Sequence, residues 1–393
     1  MTANQPTGVW LIGARGSVGT TTTVGALALR AGLTDNTGLV GGLPEVAAAG
    51  LVGPGDLVLG GHDIGHEPLV KRAESLAAGG VLPAALLAAL RDELTEVDGR
   101  LRHGLDPTTG ETQADGIARI QADLVSFRDA HGLARVVVVD VSSTEPPVDP
   151  SRLADRVGPL VDEAALDAAL AAGEAPLPTS SAYALAALRA GCPFVSFTPS
   201  PGPRLPVLGA VADRLGLPWA GSDGKTGETL VKTALAPMFA TRALQVKSWA
   251  SYNMLGGGDG ATLADPVAAA SKTASKKAGL ESILGHSVDG PMHIDNVPDA
   301  GDWKTAMDHV SFQGFLGVRM SMQFTWSGCD SALAAPLVLD LARLTARAHE
   351  AGRTGVLEAL GFFFKDPAGT AEHRLSAQWD ALVAWCAELG EVG

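Results

Sequence analysis

The residues best suited to proton chemistry in this sequence are its lysines, which cluster in one part of the chain. Of 29 basic side chains only nine are lysine, and eight of those lie between positions 225 and 365. They are Lys225, Lys232, Lys247, Lys272, Lys276, Lys277, Lys304 and Lys365. Burial or neighbouring charge can lower the pKa of lysine enough for proton transfer, whereas arginine stays charged. The cluster predicts a site that handles protons or anions, with chance placement on solvated helix faces as the plainer explanation.

Two of these lysines are spaced to act together. Lys272 and Lys276 stand four residues apart, which places both on one face if the segment is helical. Neighbouring positive charges would lower the pKa of at least one amine. At least one of the two amines is therefore a candidate for a lowered pKa.

A candidate nucleotide-binding turn lies at the start of the chain. Gly8-Val-Trp-Leu-Ile-Gly13 predicts a buried strand, and a helix is predicted from the run Thr20–Thr22 through Leu33. Glycines in the turn between them let the backbone approach a dinucleotide pyrophosphate at the helix N-terminus. Tight strand-to-helix turns need glycine anyway, so the triplet alone is weak. The candidate cofactor-binding residues here are Gly13, Gly16, Ser17, Val18 and Gly19.

The acidic residue that would hold the adenosine ribose has no clear position. The second strand is predicted at Thr37-Gly-Leu-Val-Gly41, and Gly42-Leu-Pro44 precedes the next carboxylate, Glu45. Asp63, in Gly60-Gly-His-Asp63, is the candidate for this role. The spacing does not decide between NAD and NADP.

Three polar loops follow predicted strands. Arg135–Asp140 is a β-branched run typical of a strand buried on both faces. Directly after it comes Val141-Ser-Ser-Thr-Glu-Pro146, which contains Ser143 and Thr144. A second polar loop follows the short strand Pro193–Phe197. A third spans Trp219–Glu228 and contains Asp223. Open α/β sheets bind ligands beyond the carboxyl ends of their strands, so the three loops predict one crevice. Helix-capping turns are the alternative, because Ser and Thr favour them too.

The pattern of elements predicts an α/β fold with a doubly wound Rossmann-like domain. Residues 68–131 are expected to be largely helical and to lie outside the sheet. From about 241 the pattern changes to alternating strands, at Leu244–Tyr252 and Arg319–Trp326, and after Pro336 to an amphipathic helix at Leu337–Ala351. We therefore expect one domain from 1–240 plus 335–393, and an inserted α+β domain at 241–334.

Composition excludes several classes of function. The chain has 393 residues, 46% of them hydrophobic, and a formal net charge of −14, which disfavours binding to nucleic acid or anionic membranes. Its three cysteines have no metal or redox spacing, and no apolar run approaches the ~20 residues that span a bilayer. A soluble cytoplasmic enzyme with a small-molecule substrate is expected.

Several segments together resemble the myo-inositol-1-phosphate synthase family, most closely its archaeal-type branch. They are Val141-Ser-Ser-Thr-Glu-Pro146, Phe197-Thr-Pro-Ser-Pro-Gly202, Ser222-Asp-Gly-Lys-Thr-Gly-Glu228, Ser251-Tyr-Asn-Met-Leu-Gly-Gly-Gly-Asp-Gly260 and Gly361-Phe-Phe-Phe-Lys-Asp-Pro367. The resemblance implies that NAD is bound and that D-glucose 6-phosphate is cyclised to myo-inositol phosphate. Oxidation at C5, enolisation, aldol closure and reduction would follow one another without net redox change. It also implies a homotetramer, in which the inserted domain is catalytic and forms the assembly surface.

The resemblance also assigns roles to individual residues. Lys365 would shuttle the proton for redox at C5, and Lys272 would lie near the carbonyl and the developing alkoxide. Lys276 and Lys304 would hold the phosphate or the C1 oxygen, with Lys225 as a further phosphate candidate. Asp223, Asp259 and Asp330 match acidic positions of the family that orient lysines or bind a metal, and Asp223 also counts as a cofactor-binding candidate. A divalent metal is possible by the same resemblance and is not assigned to ligands, because the histidines match no zinc spacing.

Three other functions are compatible with the sequence. Gly256-Gly-Gly258 replaces bulkier polar residues of relatives, which suggests a variant that cyclises another sugar phosphate, such as fructose 6-phosphate, to a different carbocycle. An ordinary dehydrogenase would form NADH in step with substrate consumed. A non-catalytic NAD-binding regulator would tolerate loss of Lys272 and Lys365.

Overall fold

The computed structural model describes residues 6–145, 155, 158, 160–256 and 279–392. The strands are β1 Thr7–Ile12, β2 Val58–Asp63, β3 Leu101–His103, β4 Arg135–Asp140, β5 Phe194–Ser196, β6 Pro218–Gly221, β7 Gln245–Leu255, β8 Met292–Asn296, β9 Trp303–Gln313, β10 Arg319–Cys329 and β11 Gly355–Val356. The helices are α1 Ser17–Arg30, α2 Pro44–Ala47, α3 Leu69–Ala78, α4 Ala84–Ala89, α5 Arg91–Asp98, α6 Gln113–Ala130, α7 Glu163–Ala171, α8 Thr179–Arg189, α9 Pro206–Leu215, α10 Glu228–Thr241, α11 Asp330–Glu350 and α12 Leu375–Glu391. Residues 279–284 are also helical.

The first sheet has seven parallel strands in the order β11-β6-β5-β4-β1-β2-β3. The chain leaves β1 toward β2 and β3 on one side, and returns at β4 to build the other side. The switch point therefore lies between β1 and β4, where doubly wound sheets open a crevice at their carboxyl ends. The predicted doubly wound α/β fold is confirmed.

Both faces of the first sheet are covered. Val9 and Leu11 of β1 pack into a core with α1 and α11, whereas Trp10 and Ile12 pack into a second core with α6, α8 and α9. Alternate residues of a strand point to opposite faces, so a continuous apolar run such as β1 requires helices on both sides. The carboxyl ends of the strands stay open to the loops between these layers.

The second sheet has four strands in the order β10-β9-β7-β8. Strand β9 is antiparallel to β7 and β10, and β7 is parallel to β8. Trp249 and Val310 on one face pack against Phe239 of α10, which forms the third core. The predicted change to alternating strands after about 241 is confirmed.

Three predicted elements differ from the structure. Residues 37–41 are not the second strand; they form turns leading into a 3₁₀ segment at Val40–Gly42, and β2 lies at Val58–Asp63. The 68–131 excursion is mostly helical, but β3 joins the sheet as its edge strand. The helix expected after Pro336 begins at Asp330 and includes that proline. Pro336 is the seventh residue of this helix, past the four N-terminal residues whose N–H groups have no helical partner, so its missing N–H removes one helix hydrogen bond.

Among the helices in the described part of the chain, none combines the length and apolar composition that crossing a membrane requires.

Candidate functional site

A cavity of about 730 Å³ lies at the carboxyl ends of the first sheet. Its wall includes residues that follow β1, β2, β4, β5 and β6, so the three polar loops predicted to share a crevice do meet there. The second sheet closes part of the cavity through Leu255 at the end of β7 and Trp303 at the start of β9. The N-terminus of α11 and Lys365 complete the wall.

The glycine-rich turn forms one side of the cavity. Gly13 has φ +82°, and a Cβ there would lie 2.7 Å from Ser142 Cα, so both the backbone conformation and the packing require glycine. Its N–H donates to His62 O (2.9 Å). Helix α1 begins at Ser17, and its N-cap, Gly16, places no side chain over the free N–H groups. Gly13, Gly16, Ser17 and Val18 line the cavity, whereas Gly19 packs behind them. This unblocked helix end fits a dinucleotide pyrophosphate.

Asp63 ends β2 and faces the same cavity. Its Oδ2 accepts from Arg15 N–H (2.7 Å) and its Oδ1 from Gly65 N–H (2.7 Å). These bonds hold the carboxylate beside the glycine-rich turn, at the strand end where ribose-binding acids of doubly wound folds occur. The sequence left this position open because the second strand was predicted too early in the chain.

His62 supports the turn from beneath. Trp10 Nε1 donates to His62 Nδ1 (2.7 Å), and His62 Nε2 lies 3.0 Å from Asp123 Oδ2. Because Nδ1 accepts a hydrogen bond, Nε2 must carry the proton, and burial lowers the pKa of this imidazole. The neutral imidazole ring is therefore a fixed part of the cavity wall beneath the glycine-rich turn.

The loop after β4 contributes hydroxyl groups. Ser143 and Thr144, both predicted cofactor-binding residues, line the cavity. The next residue, Glu145, accepts from Ser180 N–H (2.9 Å) and Ser180 Oγ (2.7 Å) at the start of α8. This carboxylate caps the helix and anchors the loop, a role that the sequence did not reveal.

A buried carboxyl lies at the end of β4. Asp140 Oδ1 accepts from Ser142 N–H (3.0 Å) and Ser142 Oγ (2.6 Å), while Oδ2 is buried without a hydrogen-bond partner. Burial raises the pKa of Asp140 to about 6. The group braces Ser142, against which Gly13 packs, and is not itself part of the cavity wall among the described residues.

Lys365 and Asp223 form an ion pair in the cavity wall. Lys365 Nζ donates to Asp223 Oδ1 (2.8 Å), and each side chain is 14% exposed. Lys365 N–H also donates to the main-chain oxygen of Asp223 (2.7 Å). An oriented amine beside a carboxylate is suited to passing a proton to or from a substrate oxygen.

Lys304 and Asp330 reach the cavity from the second sheet and from α11. Asp330 Oδ1 accepts from Thr226 Oγ1 (2.6 Å), which ties α11 to the loop that carries Asp223. Lys304 lies in β9 beside Leu255 of β7. Within the described ranges, Lys304 Nζ has no hydrogen-bond or ion-pair partner, so its charge is available to a bound anion.

Asp302 is a cavity residue that the sequence reasoning missed. Its Oδ1 accepts from Ser17 Oγ (3.0 Å) at the start of α1, and its Oδ2 from Ser331 Oγ at the start of α11. The carboxylate therefore connects two helix N-termini with β9. Its place two residues before Lys304, in Gly301-Asp-Trp-Lys304, was the available signal.

Lys225, which was predicted to bind the substrate phosphate, does not line the cavity among the described residues. Its Nζ is buried and donates to Gln378 Oε1 (2.5 Å), and burial lowers its pKa to about 7. Lys272, Lys276 and Asp259 fall outside the described residues, so their roles stay predictions.

Comparison with known proteins gives a consistent result. A family model described as myo-inositol-1-phosphate synthase matches residues 43–386. The chain is 31% identical to inositol-3-phosphate synthase 1 of Bacteroides thetaiotaomicron, over 95% of this chain and 92% of the relative. It is 28% identical to inositol-3-phosphate synthase of Trypanosoma brucei brucei, over 88% and 73%. The crystal structure of inositol-3-phosphate synthase from Caenorhabditis elegans superposes with a TM-score of 0.84 at 23% identity, over 98% of this chain and 86% of that one, and so shows the same fold.

Proposed function

This chain belongs to the myo-inositol-1-phosphate synthase family, and on that premise we propose that it cyclises D-glucose 6-phosphate to myo-inositol phosphate with NAD. The observation that carries the proposal is the Lys365–Asp223 pair, which lines the same cavity as the glycine-rich turn. Curated relatives named inositol-3-phosphate synthase support an inositol product over a different carbocycle. The chemistry requires a proton relay next to a redox cofactor, and the Lys365–Asp223 pair and the glycine-rich turn line one cavity.

The cofactor is held at the N-terminus of α1. Ser17 and Val18 offer main-chain N–H groups to the pyrophosphate, and the glycines of the turn give it room. Asp63 binds the adenosine ribose hydroxyls, and its negative charge disfavours the extra phosphate of NADP. Ser143 and Thr144 contact the cofactor beyond the end of β4. When bound there, NAD would supply reversible hydride transfer at C5.

The lysines manage the protons and the charge that develops on oxygen. Lys365 relays the proton of the C5 hydroxyl on oxidation by passing one of its own protons to Asp223 as it takes the new one, and the reverse transfer returns the proton on reduction. Lys272 stabilises the carbonyl and the alkoxide. Lys304 and Lys276 bind the phosphate or the C1 oxygen, where a charge-assisted hydrogen bond is worth roughly 1.5–3 kcal/mol. Asp330 and Asp259 orient these amines or bind a divalent cation.

The assembly and location of the enzyme are part of the same proposal. Residues 1–240 with 335–393 form the NAD-binding domain, and 241–334 form the catalytic domain that assembles a homotetramer. The exposed face of the second sheet, which includes Tyr252, Met307 and His309, is a suitable surface for that assembly. The enzyme works in the cytoplasm.

The decisive experiment supplies glucose 6-phosphate with catalytic amounts of NAD, with and without divalent cations. Inositol phosphate should form, identified by NMR, while the absorbance of NADH stays flat. Fructose 6-phosphate run in parallel tests the other carbocycle. NADH formed in step with substrate consumed would indicate a dehydrogenase, and no product under any cation condition would contradict the proposal.

A further inference from the structure

The segments that carry Asp223 and Lys365 are joined backbone to backbone. Lys365 N–H donates to Asp223 O (2.7 Å), and two residues beyond Asp223, Lys225 N–H donates to Phe363 O (2.8 Å). The position of the ion pair in the cavity therefore depends on the contacts that fix this short antiparallel pairing on the side away from the cavity.

The side chain of Lys225 holds the same segment. Its Nζ donates to Gln378 Oε1 (2.5 Å) and lies 5.8 Å from the centre of the Phe362 ring. Gln378 Nε2 donates to Glu372 O (2.6 Å), which turns Oε1 toward the lysine. Lys225 is 3% exposed. Its amine thus faces α12 and the stretch just before Lys365, and a substrate in the cavity does not reach it.

The loop in front of Lys225 is under strain. Asp223 has φ +63°, a left-handed conformation that a non-glycine residue keeps only when its surroundings enforce it. A Cβ at Gly224 would lie 2.1 Å from Phe197 Cζ, so the loop is pressed against that ring. A strained loop relaxes when an anchor is removed, and Lys225 is an anchor two residues from Asp223.

We propose that Lys225 is a positioning residue that holds the Lys365–Asp223 pair in place from outside the cavity. Its kinetic consequence rests on the proposed function. Displacement of a reacting group by about 1 Å costs up to about 100-fold in rate. A positioning residue therefore lowers kcat, whereas a phosphate ligand would chiefly raise KM.

The test compares Lys225→Met, Gln378→Leu, and the double variant in the full-length chain with NAD. Gln378→Leu controls for the bond that Gln378 makes to Glu372. Lys71→Met, at a surface lysine that is 63% exposed, is the matched control and should leave kinetics and stability unchanged. Lys225→Met should lower kcat at least tenfold and leave the KM for glucose 6-phosphate within threefold. The double variant leaves no buried side-chain oxygen facing methionine, so it should melt no lower than Lys225→Met while its kcat stays low.

Recovery of kcat together with stability in the double variant would reduce Lys225 to a structural residue, and a raised KM with unchanged kcat would make it a phosphate ligand. Either result overturns the proposal. If the wild-type chain does not cyclise glucose 6-phosphate, the proposed function fails by itself. Crystal structures then decide the positioning role. Lys225→Met should separate Lys365 Nζ from Asp223 Oδ1 to more than about 4 Å, a loss of the ion pair, and an unchanged 2.8 Å contact would refute it.

Discussion

Gly19 and Gly25 lie in the same helix, yet alanine should act oppositely at the two positions. A Cβ at Gly19 would lie 2.6 Å from Gly13 O, whereas a Cβ at Gly25 has nothing within 4 Å. Normal carbon contacts need about 3.5 Å, so the glycine-rich turn would have to move by about 0.9 Å. A shift of that size would stretch a hydrogen bond of about 2.9 Å between a main-chain N–H group of the turn and the pyrophosphate of NAD beyond its useful range. Losing one bond to a charged group costs roughly 1.5–3 kcal/mol, or about 10–100-fold in the Kd for NAD.

Titration calorimetry with NAD measures this difference directly, and urea unfolding measures stability alongside it. Gly25→Ala should bind NAD like the wild type and gain about 0.5–1 kcal/mol in unfolding free energy, because alanine favours the helix. Gly19→Ala should lose affinity as calculated. The reasoning is refuted if Gly19→Ala binds NAD within threefold of the wild type, or if Gly25→Ala weakens binding equally.

Three further predictions concern charge. The pKa of Asp140 is about 6 in the folded chain and 3.8 in the unfolded chain, so between these pH values only the folded chain keeps the proton. Relative to Asp140→Asn, the wild type should therefore lose about 3 kcal/mol of unfolding free energy as pH rises from about 4 to about 6. Urea titrations at several pH values measure this loss. Lys365→Met should lower kcat by roughly 10²–10⁴-fold with NAD affinity within threefold, because the role proposed for the amine is proton relay; product assays and NAD titration check this. Lys304→Ala should raise the KM for glucose 6-phosphate by about 10–100-fold, and equal losses in kcat and kcat/KM would contradict a binding role.

The elements that the sequence predicted best are those set by local pattern. The apolar run of β1, the helix after the glycine-rich turn and Arg135–Asp140 all lie at or within three residues of their predicted bounds. Strand β2 was missed because Gly60 and Gly61 are poor strand formers. A Cβ at Gly60 would lie 2.7 Å from Trp10 Cζ3, so this strand is specified by its fit against β1. That fit is tertiary, and no local pattern encodes it.

Two lysines of the cluster, Lys304 and Lys365, line the cavity, but the sequence pattern did not separate amines in the cavity from amines behind it. In a regular strand, residues two apart face the same side, so Lys225 would be expected to accompany Asp223 into the cavity. The left-handed φ of Asp223 breaks that alternation, and Lys225 turns toward Gln378 on α12, more than 150 residues away in sequence. The conformation that presents Asp223 to Lys365 is thus the same one that buries Lys225. A sequence pattern shows both side chains only as charged neighbours, whereas the effects of their substitution on kcat and KM test which one contacts substrate and which one holds the other in place.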